Sequence, residues 1–200
     1  MKTMSGKLNK LLAVVCLLLF TAIAQAQVKY AQFNSRQARI FNQLLADANA
    51  AFTLPEGFKE SAPVDNEEMN FDYGITMPGQ EFEIWFAVKP YKQISKYYNN
   101  PDSVYETLGK TQVSILSGDN SYFMRNLDDR ILNQYNADAG KSYLLNLNDS
   151  PLTKHYKYAL IITFQKDHNG TILAVCLTND KGPDFFKYID KARNCIRFKQ

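Results

Sequence analysis

The sequence predicts an α+β fold, a mostly antiparallel β-sheet sandwiched by helices in an α/β/α arrangement, and three observations predict it. Residues 71–89 and 155–180 each read as two apolar strands about a turn. The strands of the second pair are apolar on adjacent as well as alternate positions (Leu160, Ile161, Ile162; Leu173 to Leu177), the pattern of strands covered on two faces. Three or four amphipathic segments at helical spacing can supply that cover.

The chain opens with Lys2, Lys7 and Lys10, runs through LLAVVCLLLFTAIA and reaches Ala24-Gln25-Ala26, the basic, apolar and small-residue parts of an export leader. The expectation is a signal peptide at 1–26 cleaved near Ala26, followed by one α+β domain at 27–200 that is periplasmic or secreted. The apolar run falls short of the roughly 20 residues of a membrane-spanning helix, and Val15 is bulky where a lipid-anchored leader at Cys16 wants a small residue. No later segment is apolar enough to span a bilayer. Removing three leader lysines from 23 basic residues leaves 20 against 20 acidic ones. A near-neutral chain without Lys/Arg clusters among aromatics is not expected to bind nucleic acid. The remaining cysteines are Cys176 and Cys195. An oxidising compartment permits a disulfide between them without requiring one, and Cys176 within an apolar strand also reads as a free buried thiol.

Phe33, Gln37, Ile40, Phe41, Leu44, Leu45 and Ala48 recur at helical spacing and predict an amphipathic helix over about 31–52. TLPEGFKESAPVDNEEMN then breaks it into a short extended piece and a solvated loop. Next, Phe71, Tyr73, Ile75 and Met77 alternate with Asp72, Gly74 and Thr76. After a turn at Pro78-Gly79, Phe82, Ile84, Phe86 and Val88 alternate with Glu83, Trp85, Ala87 and Lys89. The Trp85 side reads as the seat of a helix, with a ligand platform as the rival reading. Ser103 and Glu106 form a capping-box pattern for a helix carrying Val104, Leu108, Val113 and Ile115 inward. DDRILNQYNADAG predicts a short helix ended by Gly140, and KSYLLNL a strand with Tyr143, Leu145 and Leu147 on one side. Asn169-Gly170 marks the turn of the second hairpin. Pro183 introduces a last helix with Phe185, Phe186, Ile189 and Ala192 inward, and CIRF returns as a short strand.

FTLPEGF, EFEIWFAVKP, YNADAG and YALIITFQKDHNGTILAVCLTND followed by FFKYIDKARNCIRF occur in an order that resembles the PsbP/Mog1-like α/β/α sandwich superfamily over most of residues 52–198. The resemblance is to small exported bacterial members without an assigned activity. It implies a compact antiparallel sheet between helices and an accessory, binding or assembly role, and it brings no catalytic residue with it.

The motifs of chemistry fail one by one. AGKS at 139–142 has Tyr135 where a phosphate-binding loop has its first glycine, and it leads into a strand. QKDHNG lacks the first and twelfth ligands of a calcium loop, holding Gln165 and Cys176 there. His155 and His168 belong to no metal-binding spacing, and adjacent carboxylates such as Glu67/Glu68 and Asp128/Asp129 read as solvated surface. Asp138, in a helix-to-strand junction beside Tyr135 and Lys141, reads as a turn hydrogen-bond acceptor or the wall of a cleft. The expected function is an exported, non-catalytic binding or accessory domain of the bacterial envelope, with a protein partner and no cofactor. Two alternatives stand beside it: a hydrolase using Tyr135, Asp138, Lys141 and His155, and a carrier of small apolar ligands lined by Phe33, Phe41 and Trp85 between sheet and N-terminal helix.

Overall fold

The computed structural model describes residues 35–64 and 70–200; the expected leader, Phe33 and the Glu67/Glu68 pair lie outside them. The chain falls into two units, 1–39 and 40–200. Helix α1 (Arg36–Asp47) runs across that division, and at its start the Ser35 hydroxyl accepts the Ala38 N–H at 2.9 Å. Asn49, at φ 48°, turns the chain out of the helix. Ala50–Phe52, expected to be helical, are instead strand β1.

The second unit is organised on strands β2 (Lys59–Ser61), β3 (Tyr73–Thr76), β4 (Phe82–Pro90), β5 (Ser117–Asn126), β6 (Ala139–Leu147), β7 (Tyr158–Lys166) and β8 (Gly170–Thr178). They form one sheet of order β2-β3-β4-β8-β7-β6-β5, antiparallel at every step. The last strand, β9 (Ile196–Phe198), pairs with β1 in a separate two-stranded sheet. The helices are the single turn α2 (Tyr91–Ile94), α3 (Val104–Leu116), α4 (Asp129–Tyr135) and α5 (Pro183–Ala192). The architecture is α+β, with an antiparallel sheet and helices packed on it.

Strand alternation sorts the core into two layers. Trp85, Ala87, Tyr143, Ile161, Leu173 and Val175 point to one face and pack with Val113 and Leu116 of α3. Trp85 is fully buried there as the seat of a helix. Its indole N–H donates to Glu83 Oε2 at 2.8 Å, and Lys154 Nζ holds the same oxygen at 2.8 Å. α3 sits close to β6 because position 109 is glycine; a Cβ there would lie 2.5 Å from Cε2 of Tyr143. On the opposite face Phe41 stacks on Tyr73 at 4.7 Å, Phe52 meets both Tyr73 and Phe86 edge-on, and Phe185 of α5 meets Phe82.

Several local expectations change. Ser103 precedes α3 but makes no cap bond; its hydroxyl donates to Asn100 O, while Glu106 pairs with Lys141 at 3.1 Å. Asn136, at φ 49°, ends α4, and Gly140 lies inside β6. The β7–β8 hairpin closes through three residues, with His168 at φ 60°. Gly170 is needed because a side chain there would run into the Lys89 carbonyl of the neighbouring strand. Ile40 and Phe186, expected inward, are 51% exposed. Strand β5 carries no clean alternation, and it is the element that patterning does not mark.

Candidate functional site

The residues singled out from sequence are scattered over the sheet. Asp138 stands at the start of β6, where its carboxylate accepts from Lys166 Nζ at 2.7 Å and from the Asp167 N–H at 2.9 Å. Partial burial raises its pKa, but these two hydrogen bonds and the Lys166 charge outweigh that and hold it below the ordinary value. The acceptor role is real but long-range: it ties the β6 start to the β7–β8 hairpin. Lys141 lies on the α3 face and is paired with Glu106. His155 lies before β7, at the opposite end of that strand, exposed and 2.6 Å from Asp149. Tyr135 is buried on the other face, stacked on Phe164 at 4.4 Å, and burial followed by its two cysteine neighbours pushes its hydroxyl well above the usual phenol range. The four groups needed for the hydrolase reading therefore do not meet.

The carrier reading fails on topology. Phe41 and Trp85 lie on opposite faces of the sheet, and Trp85 is in the packed core, so no cavity between them can exist. Cys176 and Cys195 are free and buried. Burial pushes the Cys176 thiol up to about 12 and the Cys195 thiol up as well. Among the described residues no group of three or more His, Cys, Asp and Glu could hold a metal ion, and no helix is long and apolar enough to cross a membrane.

What remains open is one corner of the sheet. β5 is an edge strand whose residues 122–126 pair in register with β6, Tyr122 opposite Leu145 and Asn126 opposite Lys141. Tyr122 and Met124 point to the α3 face, where Tyr122 lies 5.9 Å from the Tyr143 ring; Phe123 points to the other face, with the Arg125 guanidinium 4.8 Å over its ring. Tyr122, Phe123 and Met124 are 44%, 55% and 42% exposed. Alternate residues of an edge strand direct their N–H and C=O groups away from the sheet. Among the described residues no strand lies on that side.

On the Phe123 face, the same corner carries a cleft of about 330 Å³ between α4 and α5. Its floor is Ser142, Leu160 and Ile162 of β6 and β7, all half-buried because neither helix covers them. A recess of about 30 Å³ continues beneath α5, sharing Tyr135, Ile162, Ile189 and Arg193 with the cleft and reaching Cys176. Of these lining residues the sequence marks only Tyr135 as a candidate site residue; Leu160, Ile162, Phe186 and Ile189 read from it as core positions. The others are ordinary apolar positions whose half-exposure depends on how far the two short helices reach.

No protein-family profile matches the chain, and no curated protein does. Among solved structures, the chain is similar to the solution structure of cyanobacterial PsbP (CyanoP) from Synechocystis sp. PCC 6803. The identity is 11%, the TM-score 0.37, and the match covers 76% of this chain and 88% of that one.

Proposed function

We propose that the protein is a non-catalytic binding domain of the cell envelope that takes an extended segment of a partner protein alongside β5, as an eighth strand of the sheet. One observation carries this: three consecutive large apolar side chains, Tyr122, Phe123 and Met124, are exposed on an edge strand with open main-chain groups. An exposed, long, apolar edge is a template for strand addition, and proteins that do not use one usually blunt it. The segment that fits is extended, with apolar side chains on alternate positions to meet Phe123 on one face and Tyr122 and Met124 on the other. The envelope setting is supported by the leader-like residues 1–26. A binding role is supported over hydrolysis by the separation of Asp138, Lys141 and His155.

The test is strand addition measured with a set of ten-residue peptides of alternating apolar and polar residues. Adjacent residues point their N–H groups in opposite directions, so one of Tyr122→Pro and Phe123→Pro removes an outward donor and leaves the β6 ladder intact. The expected result is a peptide that slows amide exchange within residues 122–126 and loses at least about tenfold in affinity in the variant that stays folded. Failure of every alternating peptide, or binding that ignores both prolines, overturns the proposal. So does a concentration-dependent dimer that Phe123→Lys dissolves, which would assign the edge to a second copy of the chain.

A further inference from the structure

We infer that the α4–α5 cleft is a separate binding site for a small single-chain carboxylate of the fatty-acid type, its tail on Leu160, Ile162 and Ile189 and its head at Arg130. This does not rest on strand addition at β5; the two features share a corner of the sheet and nothing else.

Size and chemistry point the same way. About 330 Å³ lies at the small end of ligand sites, which run from roughly 300 to 1,000 Å³. The floor and walls are predominantly apolar, and the recess beneath α5 extends them inward, so the body of the ligand has to be hydrocarbon. The charges select the head. Arg193 is answered by Asp190 at 2.9 Å, and the Gln134 amide nitrogen is already committed to Arg193 O and Asn194 Oδ1. Arg130 lines the same cleft and has no ion-pair partner among the described residues. One cation without a counter-charge beside an apolar slot complements a head of one negative charge, and a guanidinium takes a carboxylate through two parallel hydrogen bonds. A dianionic phosphate would find no second free cation in this lining, and an uncharged alcohol would leave Arg130 unmatched.

Decanoate, decanol and acetate are the probes, titrated calorimetrically into the protein; indole fluorescence is not used because Trp85 lies on the far face. Decanoate is expected to saturate one site with a dissociation constant below about 1 mM, and acetate, with no tail, to give no saturable binding. Arg130 is exposed, so Arg130→Glu acts at the rim of the cleft, and putting a repulsive charge where an attractive one stood should weaken decanoate about tenfold. It should leave decanol unchanged. Lys187→Glu, elsewhere on α5, should leave decanoate unchanged. Leu160→Trp fills the floor and should abolish decanoate binding; if its melting curve shows that it does not fold, the exposed Phe186→Glu tests the same wall. Decanol binding as tightly as decanoate, an Arg130→Glu variant with wild-type affinity, or no saturable decanoate binding would each overturn the assignment.

Discussion

The two ends of the seven-stranded sheet are finished differently. At the β2 end the edge strand has three residues, carries Lys59 and Glu60, and is followed by Pro63. Behind it, Tyr73 of β3 is fully buried under Phe41 and Phe52, and Glu60 Oε2 accepts from its hydroxyl at 3.4 Å. At the β5 end the edge strand has ten residues, and its large side chains lie in solvent on both faces. Short length, charge and a nearby proline are the devices by which proteins keep an edge from pairing with other chains. One end of the sheet has all three; the other is ten residues long and has no proline, and its exposed segment 122–126 carries one charge, Arg125, stacked on Phe123. This asymmetry between the two edges is what supports β5 as the proposed binding surface.

The sharpest way to break the comparison is to truncate one aromatic at each end. Phe41 is buried in a stack of rings, so Phe41→Ala opens a cavity and should cost about 3–5 kcal/mol. Phe123 is exposed, so Phe123→Ala should cost about 0.5 kcal/mol or less. Urea denaturation of the two variants reads the difference directly. Equal losses would mean that β5 is covered after all, and the proposed surface would go with it.

A smaller effect comes from the helix that supports the open end. α3 approaches Tyr143 of β6 through Gly109, and Tyr143 in turn is the ring against which Tyr122 of β5 lies. Gly109→Ala gains about 1 kcal/mol in helix propensity but forces a methyl group into a ring with nowhere to go, at roughly 1–3 kcal/mol. The net expectation is a loss of about 1 kcal/mol. The loss should appear first as faster amide exchange in residues 122–126, with the β2–β3–β4 amides unchanged. Uniform acceleration over the whole sheet would show that the two ends are not independent.

The covered end was legible in the sequence for the same reason that it is covered. Alternation of Tyr73, Ile75, Phe82, Ile84 and Phe86 against Glu83 and Trp85 separates the two faces of these strands, and a tryptophan on the second face reads as the seat of a helix, where Trp85 is fully buried. The open end was not legible. β5 has apolar residues at three consecutive positions, 122–124, and its pairing with β6 is fixed by tertiary register with an irregularity between Ser117 and Tyr122. Neither leaves a period of two. Phe186 and Ile40 misled for a related reason: helical spacing identifies an apolar stripe, but the width of the stripe that is buried depends on the length of the neighbouring element. Asp138 was legible as an acceptor, yet its partners are 28 and 29 residues away, and no local pattern names them.

That acceptor gives the smallest prediction, and it concerns the strand next to the open edge. Asp138 is held below its ordinary pKa in the folded protein, so its contribution to stability is present at pH values above the unfolded pKa and is lost as pH falls through the lower, folded one. Asp72 runs the other way: burial raises its carboxyl despite the charge of Lys89 and the Val88 N–H at 2.7 Å, so its ionisation costs stability as pH rises. The pH profile of the wild type alone therefore mixes opposite signs. The difference between wild type and Asp138→Asn does not, because Asp72 and the Glu106–Lys141 pair are common to both. Wild type should be the more stable at neutral pH, and the gap should narrow through the acid side of the ordinary Asp range, below about pH 4. The Asp138 side chain is 37% exposed, so solvent screens the pair and the gap should be modest. A gap that stays constant with pH would mean that the carboxylate acts through shape and not charge, and that the β6 start is held by the hairpin backbone alone.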